Sequence, residues 1–351
     1  MAKEYLEKLS AFMVAAFMIL AIAACNGGGG NGNGSENTAA VPKGNRVLEI
    51  QSSEPADGDF AGAFNLAQTV GMESASLAQD WNEIDTGTDN STVPPSPIYA
   101  DDPDTDFLTT ANSCYANSNT KLSLLLRPIT TLTKMAPPGF ENVPFDDPAM
   151  IERFKAFLDH VFSKIPDLEI TALAIGSEVD LYLLTTDLQD EYLSFYEAVS
   201  EYARAAYTQL YPAKPLLNVA VEVTHKGLLD PGSRAYYQQL NAFSDVTPMI
   251  DSTAKLQADF IEAVFDAWDD HARIDLISFT WMHDETEADV ADITANPAFG
   301  GTSNPPPDLV EFLRTLGLRT DAAVDKPAWR TLAKEAAARG WSDTGFELTC
   351  N

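Results

Sequence analysis

Basic residues are scarce. The 351-residue chain holds 22 Lys+Arg against 52 Asp+Glu, a formal net charge of −30 at pH 7. A field of that sign repels polyanions, which excludes nucleic acid as a partner and argues against docking on anionic lipid. It names no substrate, because an acidic surface also serves solubility alone. Cysteine and histidine are few, at 3 and 4. No CxxC pair and no HExxH occur, and His160, His225, His271 and His283 are scattered. Neither a metal site nor a cofactor is therefore indicated. The dinucleotide fingerprint is missing after the first strand-like run, where Ser52-Ser53-Glu54-Pro55 stands, and no Walker loop is present. No apolar run reaches the roughly 20 residues that span a bilayer.

What the chain does have begins with an uncharged apolar stretch, residues 11–24, AFMVAAFMILAIAA. Too short to span, it reads as the hydrophobic part of a signal peptide. Lys3 and Lys8 are balanced by Glu4 and Glu7, and an uncleaved N-terminal anchor is the alternative. Ile22-Ala23-Ala24-Cys25 resembles the bacterial lipobox. That resemblance implies lipidation of Cys25, membrane contact through that anchor, and a place in the bacterial cell envelope at the outer membrane or cell surface. Residues 26–35, NGGGGNGNGS, form a flexible tether. The expected organisation is a signal peptide (1–24), a lipidated cysteine with its tether (25–44) and one domain (45–351). Export favours disulfides, so Cys114 and Cys350 are either bridged or two free thiols.

Within the domain, strand-like runs alternate with amphipathic helices. The runs are Val47–Gln51, Ser74–Gln79, Lys121–Ile129, Ile170–Gly176, Leu216–Val223 and Ile274–Trp281. Most are nearly continuous in apolar residues, as strands buried on both faces of a parallel sheet are. Helical periodicity covers 151–165, 187–210, 252–270, 307–316 and 328–339, with Leu256, Phe260, Val264 and Trp268 expected along one buried face. Repeated βα units without a nucleotide loop favour an α/β fold of the (β/α)8 TIM-barrel type over an open doubly wound sheet. Six strands are convincing and 245–249 is a stub, so the barrel is complete or incomplete with six to seven recognisable strands. Barrel sites lie at the C-terminal ends of strands. There the sequence places Asp80 and Trp81, Arg127, Glu178 with Asp180 and Tyr182, Glu222, and Trp281 with His283 and Asp284. Carboxylates and aromatics at one rim suit a carbohydrate site. Each residue alone has a plainer reading, Trp as core and acids as solvated surface.

Residues 172–180, ALAIGSEVD, carry the sharpest motif. They resemble the fourth strand of glycoside hydrolase clan A barrels, which ends in Gly-Asn-Glu with the glutamate as general acid/base. The wider layout is similar to the endo-galactanase branch of that clan, through Trp81-Asn82-Glu83-Ile84, residues 121–147, 257–268, 277–284 and 326–341. The resemblance implies that Glu178 protonates the departing oxygen. It implies further that Trp281 stacks on the sugar and Arg127 supports a carboxylate. Trp81, Asp180, Tyr182, His283 and Asp284 would line the sugar site, with a poly- or oligosaccharide as partner. Ser177 stands where the family has the asparagine that holds the sugar 2-hydroxyl. The strand-seven nucleophile glutamate is not found, as though a segment between about Val246 and Asp251 were absent. Three explanations follow: a degenerate barrel that binds sugar without cleaving it, an internally deleted product, or another carboxylate in the role. Glu222 is the first candidate and Asp284 the second. Alternation leaves open whether Glu222 points inward or toward the helices. The expected function is hydrolysis of a β-linked polysaccharide; the alternative is non-catalytic glycan binding at the cell surface.

Overall fold

The apolar runs become short parallel strands separated by helices. The computed structural model describes residues 40–100, 107–222, 254–271, 274–295 and 307–350. In chain order, β1 (Val47–Ile50), α1 (Phe60–Thr69), β2 (Ser74–Asp80) and α2 (Trp81–Ile84) lead into a small hairpin, β3 (Asp85–Asp89) and β4 (Ser96–Tyr99). Next come α3 (Phe107–Asn117), β5 (Lys121–Thr130), β6 (Thr133–Lys134), α4 (Pro148–Lys164) and β7 (Ile170–Ser177). Then follow α5 (Val179–Thr186), α6 (Gln189–Leu210), β8 (Val219–Ala220), α7 (Ala254–Asp270) and β9 (Leu276–Phe279). Three helices close the chain: α8 (Glu287–Ala295), α9 (Pro307–Thr315) and α10 (Pro327–Arg339).

The main sheet runs β8-β7-β5-β2-β1-β9, all neighbours parallel, with β6 folded back antiparallel on β5. Strands follow one another in chain order, and the last described strand returns to pair with the first over Val47↔Leu276 to Ile50↔Phe279. A doubly wound sheet reverses its order midway; this one does not, and it curls as a (β/α)8 barrel does. It forms six parallel strands of a half-barrel. Among the described residues β8 and β9 do not pair with each other. Residues 223–253, where the sequence suggests a lost segment before the nucleophile strand, lie outside the described residues, as do the apolar leader, Cys25 and the tether.

Register decides which side chains face the barrel interior. Ala78, Leu125, Ala174 and Ala220 lie in one row across β2, β5, β7 and β8. The first three form a small apolar cluster apart from the main core. One row toward the strand starts, Ser76 pairs with Ser123. Lower still lies Glu49 of β1, opposite Ser74 and Ser278. Its carboxyl is fully buried and accepts a hydrogen bond from Ser74 Oγ at 2.8 Å. Burial raises its pKa, and hydroxyls of Ser278, Ser74 and Ser123 only partly oppose that. One row above the apolar cluster, two residues on from Ala78 and Leu125, Asp80 pairs with Arg127. Barrels usually fill this space with branched apolar residues; here, Leu125 apart, the residues named are small or polar.

The outer face carries the large core. Helix α4 starts three residues before the expected stripe, because Pro148 suits the first turn and Asp147 caps it by accepting from Ala149 N at 2.8 Å. Phe154, Leu158, Val161 and Phe162 are then buried on one face. The helix expected over 187–210 forms as α6, Gln189–Leu210; the short α5 before it, ended by Asp187 at φ 59°, was not expected. On α7 the buried stripe is Ile261, Val264, Phe265 and Trp268. Phe260 is 38% exposed, which corrects the expected face, since 261 joins 264, 265 and 268 at helical spacing while 260 falls one step around. Trp268 stacks on Trp341 at 5.0 Å, and the Arg46 guanidinium covers it at 4.8 Å. Cys114 on α3 is joined by a disulfide to Cys350 across 236 residues.

Candidate active site

The rim is assembled from strand ends. At the top of β2 and β5, Arg127 Nε meets Asp80 Oδ1 at 2.6 Å, and Thr130 Oγ1 donates to the same oxygen at 3.0 Å. Arg127 is buried, with Asp80 as its ion-pair partner. The next strand supplies Glu178. At the end of β7 the backbone turns, with positive φ at Gly176 (89°) inside the strand and at Glu178 (48°) just past it. A Cβ at Gly176 would collide with Val179 Cγ1 and Tyr192 Oη, so glycine is needed there. The turn lifts the Glu178 carboxyl to Thr131, whose hydroxyl donates to Oε2 at 2.9 Å. Burial pushes Glu178 up to about 7; Thr131 opposes the shift and Asp180 adds to it.

Glu222 completes the cluster. Its N–H donates to Gly176 O and its carbonyl accepts from Val179 N, both at 3.2 Å. The chain beyond β8 thereby stays zipped to the segment that carries Glu178. Two residues past inward-facing Ala220, the Glu222 side chain takes the same face. It is buried, at 5% exposure. Burial raises its pKa well above the carboxylate range; Ser177 and Arg127 work against this, while Glu178 and Asp180 add to it. Asp180 is buried in the first turn of α5. Glu178, Glu222, Ser177, Asp180 and Arg127, read separately from the sequence, thus share one electrostatic neighbourhood.

The other expected residues are engaged elsewhere. Trp81 is fully buried, edge-on to Phe154 at 4.9 Å and stacked on Phe157 at 6.1 Å. An indole so enclosed presents no face to a sugar, and it serves the core instead. Trp281 is 3% exposed and packs with Val290, Ile293 and Leu313. His283 is held on both ring nitrogens, Nδ1 by Ser53 O at 2.8 Å and Nε2 by Arg319 at 3.1 Å. Asp284 accepts from Lys326 Nζ and Gly317 N, each at 2.9 Å. These two residues clamp the chain after β9 to residues 317–326. Tyr182 is half-buried on α5, and its carbonyl accepts from Thr186 Oγ1 at 2.8 Å.

Three groups escaped the sequence reading. Thr131 lies in a hairpin turn whose reach to Glu178 depends on strand register. Glu49 had a signal, a lone acid inside an apolar strand. Glu285, just past the last strand, is raised to about 7 by burial beside Asp289 and Asp284. Among the described residues, no group of three or more His, Cys, Asp and Glu is placed to hold a metal ion, and no helix is long and apolar enough to cross a membrane.

No protein-family model matches the chain, and no curated protein matches its sequence. Solved structures do match in fold. GH5_18 from Streptomyces cattleya, in complex with GlcNAc, is 13% identical with a TM-score of 0.58 over 86% of this chain and 82% of that one. GH5_18 from Bifidobacterium longum subsp. longum, in complex with Manβ1-4GlcNAc, is 10% identical with a TM-score of 0.55 over 87% and 80%. The exo-β-1,4-mannosidase Op5Man5 from Opitutaceae bacterium strain TAV5 is 13% identical with a TM-score of 0.52, covering 86% of this chain and 62% of that one. The half-barrel therefore has the fold of glycoside hydrolases of the TIM-barrel type, and at these identities the likeness is one of fold.

Proposed function

We propose that this chain is a glycoside hydrolase acting on a β-linked glycan, with Glu178 as general acid/base and Glu222 as the second carboxyl. One observation carries the reading: a partly buried carboxyl, Glu178, and a buried one, Glu222, stand at the C-terminal ends of adjacent parallel strands, and burial pushes Glu178 up to about 7. A general acid must hold its proton at working pH and still release it, and burial at a barrel mouth supplies that balance. Ser177, with a shorter side chain than the clan's asparagine, would offer a sugar hydroxyl a weaker contact or one routed through water. Manβ1-4GlcNAc, drawn from the fold neighbours, and a β-galactan, drawn from the galactanase-like segments, are the first substrates to test. We propose as well that the protein is exported and lipid-anchored at Cys25 in the cell envelope; the disulfide supports an oxidising compartment.

Reducing-end release from those substrates tests the catalytic reading. Glu178→Gln is expected to lose at least about 100-fold in rate, the lower range for general acid catalysis, while still binding glycan. Rates in the parent should fall as pH rises through about 7, where Glu178 gives up its proton. An unchanged rate in Glu178→Gln removes it from the mechanism.

A second reading is a non-catalytic glycan-binding protein of the same fold. It is favoured by the burial of Glu222. A nucleophile or base must be ionised, whereas burial favours the protonated form of Glu222. Binding by the parent protein without any sugar release would decide for this reading.

A further inference from the structure

The turn that approaches Glu178 is built from an unfavourable residue. Strand β5 ends at Thr130 and β6 begins at Thr133, and the two pair directly. Thr131 and Leu132 therefore form a two-residue hairpin loop, a turn that calls for positive φ and favours Gly, Asn or Asp. Thr131 adopts φ 50°. A β-branched residue is a conformational outlier there, and such strain typically costs on the order of 1–3 kcal/mol. Leu132, beside it, is exposed, but Thr131 is buried and tied at two points. Its N–H donates to Ser177 O at 3.0 Å, and its hydroxyl donates to Glu178 Oε2 at 2.9 Å. Glycine would satisfy the turn without strain but would lack the hydroxyl.

We propose that Thr131 is a positioning residue whose hydroxyl, donated to Oε2, fixes the Glu178 carboxyl and leaves Oε1 as the oxygen that delivers the proton. The assignment rests on the reading of Glu178 as general acid. Oε2 accepts from Thr131, so the acidic hydrogen sits on Oε1. In the cleavage step the Oε1–H bond breaks and its proton joins the departing sugar oxygen as that oxygen's bond to the anomeric carbon breaks. Water then gives its hydroxyl to the anomeric carbon and its remaining proton returns to Oε1. Throughout, the Thr131 hydroxyl meets the negative charge of the carboxylate through Oε2. Asp180 from α5 and Glu222 from beyond β8 face the same carboxyl, and Arg127 from β5 faces Glu222. None of the three is altered by a change at Thr131.

The test is a carboxyl-carbon NMR titration of Glu178, assigned by its loss in Glu178→Gln, in the full chain and in Thr131→Gly and Thr131→Ser. Thr131→Gly relieves the turn while deleting the donor. It should raise the Glu178 midpoint by about one pH unit, the size of one hydrogen bond to a charged group. Its thermal stability should be unchanged or higher. Thr131→Ser should return the midpoint to the parent value. If the parent hydrolyses glycan, the alkaline limb of its pH profile should move upward by the same amount in Thr131→Gly. An unmoved midpoint in a folded Thr131→Gly protein overturns the proposal and reduces Thr131 to a turn residue. A shifted midpoint in a protein that cleaves none of the substrates upholds the contact and sinks the catalytic reading instead.

Discussion

Glu49 shows how far a single side chain can set the behaviour of this barrel. Its carboxyl is sealed among serine hydroxyls, and burial raises its pKa above the ordinary 4.5. Between that value and the raised one, the folded chain holds a proton that the unfolded chain has lost. Stability therefore falls as pH rises through the window, by up to about 1.4 kcal/mol per pH unit for one group. Glu49→Gln removes that loss, so its melting temperature should exceed the parent's at neutral and mildly alkaline pH and match it near pH 4. Thermal melts across pH 4–9 check this; identical slopes in the two proteins would contradict it. The same scale explains what could be read in advance. Glu178 was legible because a glycine, a small polar residue and a glutamate close a buried strand. The direction of Glu222 was not, because period-two alternation is symmetric until a pairing partner breaks the tie. The pairing of Ala174 with Ala220 does so.

At the scale of elements, the join between β7 and α5 determines where the acid sits. Gly176 is needed there by its φ of 89° and by the nearness of Val179 and Tyr192. Tyr192 in turn donates its hydroxyl to Ile175 O at 2.8 Å. Gly176→Ala should destabilise the fold by about 2–4 kcal/mol through strain and overpacking, seen as a lowered denaturant midpoint. A midpoint within experimental error of the parent would show that this join is looser than described. Element type was largely visible in the sequence, since buried strands and amphipathic helices differ in period. Their ends were less so. Of the expected run Leu216–Val223, the described residues 216–222 are strand only over Val219–Ala220, with Leu216 at 78% exposure, because only these two find ladder partners on β7. The helix expected over 187–210 stands as Gln189–Leu210, whereas the short α5 before it was not read from the sequence.

For the molecule as a whole, closure is carried by two distant contacts. Strand β9 returns to β1, and the disulfide joins α3 to the penultimate residue. A crosslink across so long a loop restricts the unfolded chain by roughly 5–6 kcal/mol in the entropic account. Cys114→Ser or Cys350→Ser should accordingly lower the melting temperature by several degrees, and a reducing agent should do the same to the parent but not to either variant. The sheet order was legible in outline, because alternating βα units without a phosphate loop point to a barrel. The return of the last strand to the first is implied by a barrel, but its register, Val47↔Leu276 to Ile50↔Phe279, was not legible, since no local pattern encodes it. That return has a consequence for the covalent chain. A protease site engineered between residues 222 and 254 would divide the protein into two pieces, one bearing β1 and Cys114, the other β9 and Cys350. Cleaved there, the molecule should still migrate as a single species until its disulfide is reduced. Even after reduction the halves should stay associated through the β1–β9 ladder, a natural starting point for a split protein that reassembles from its parts.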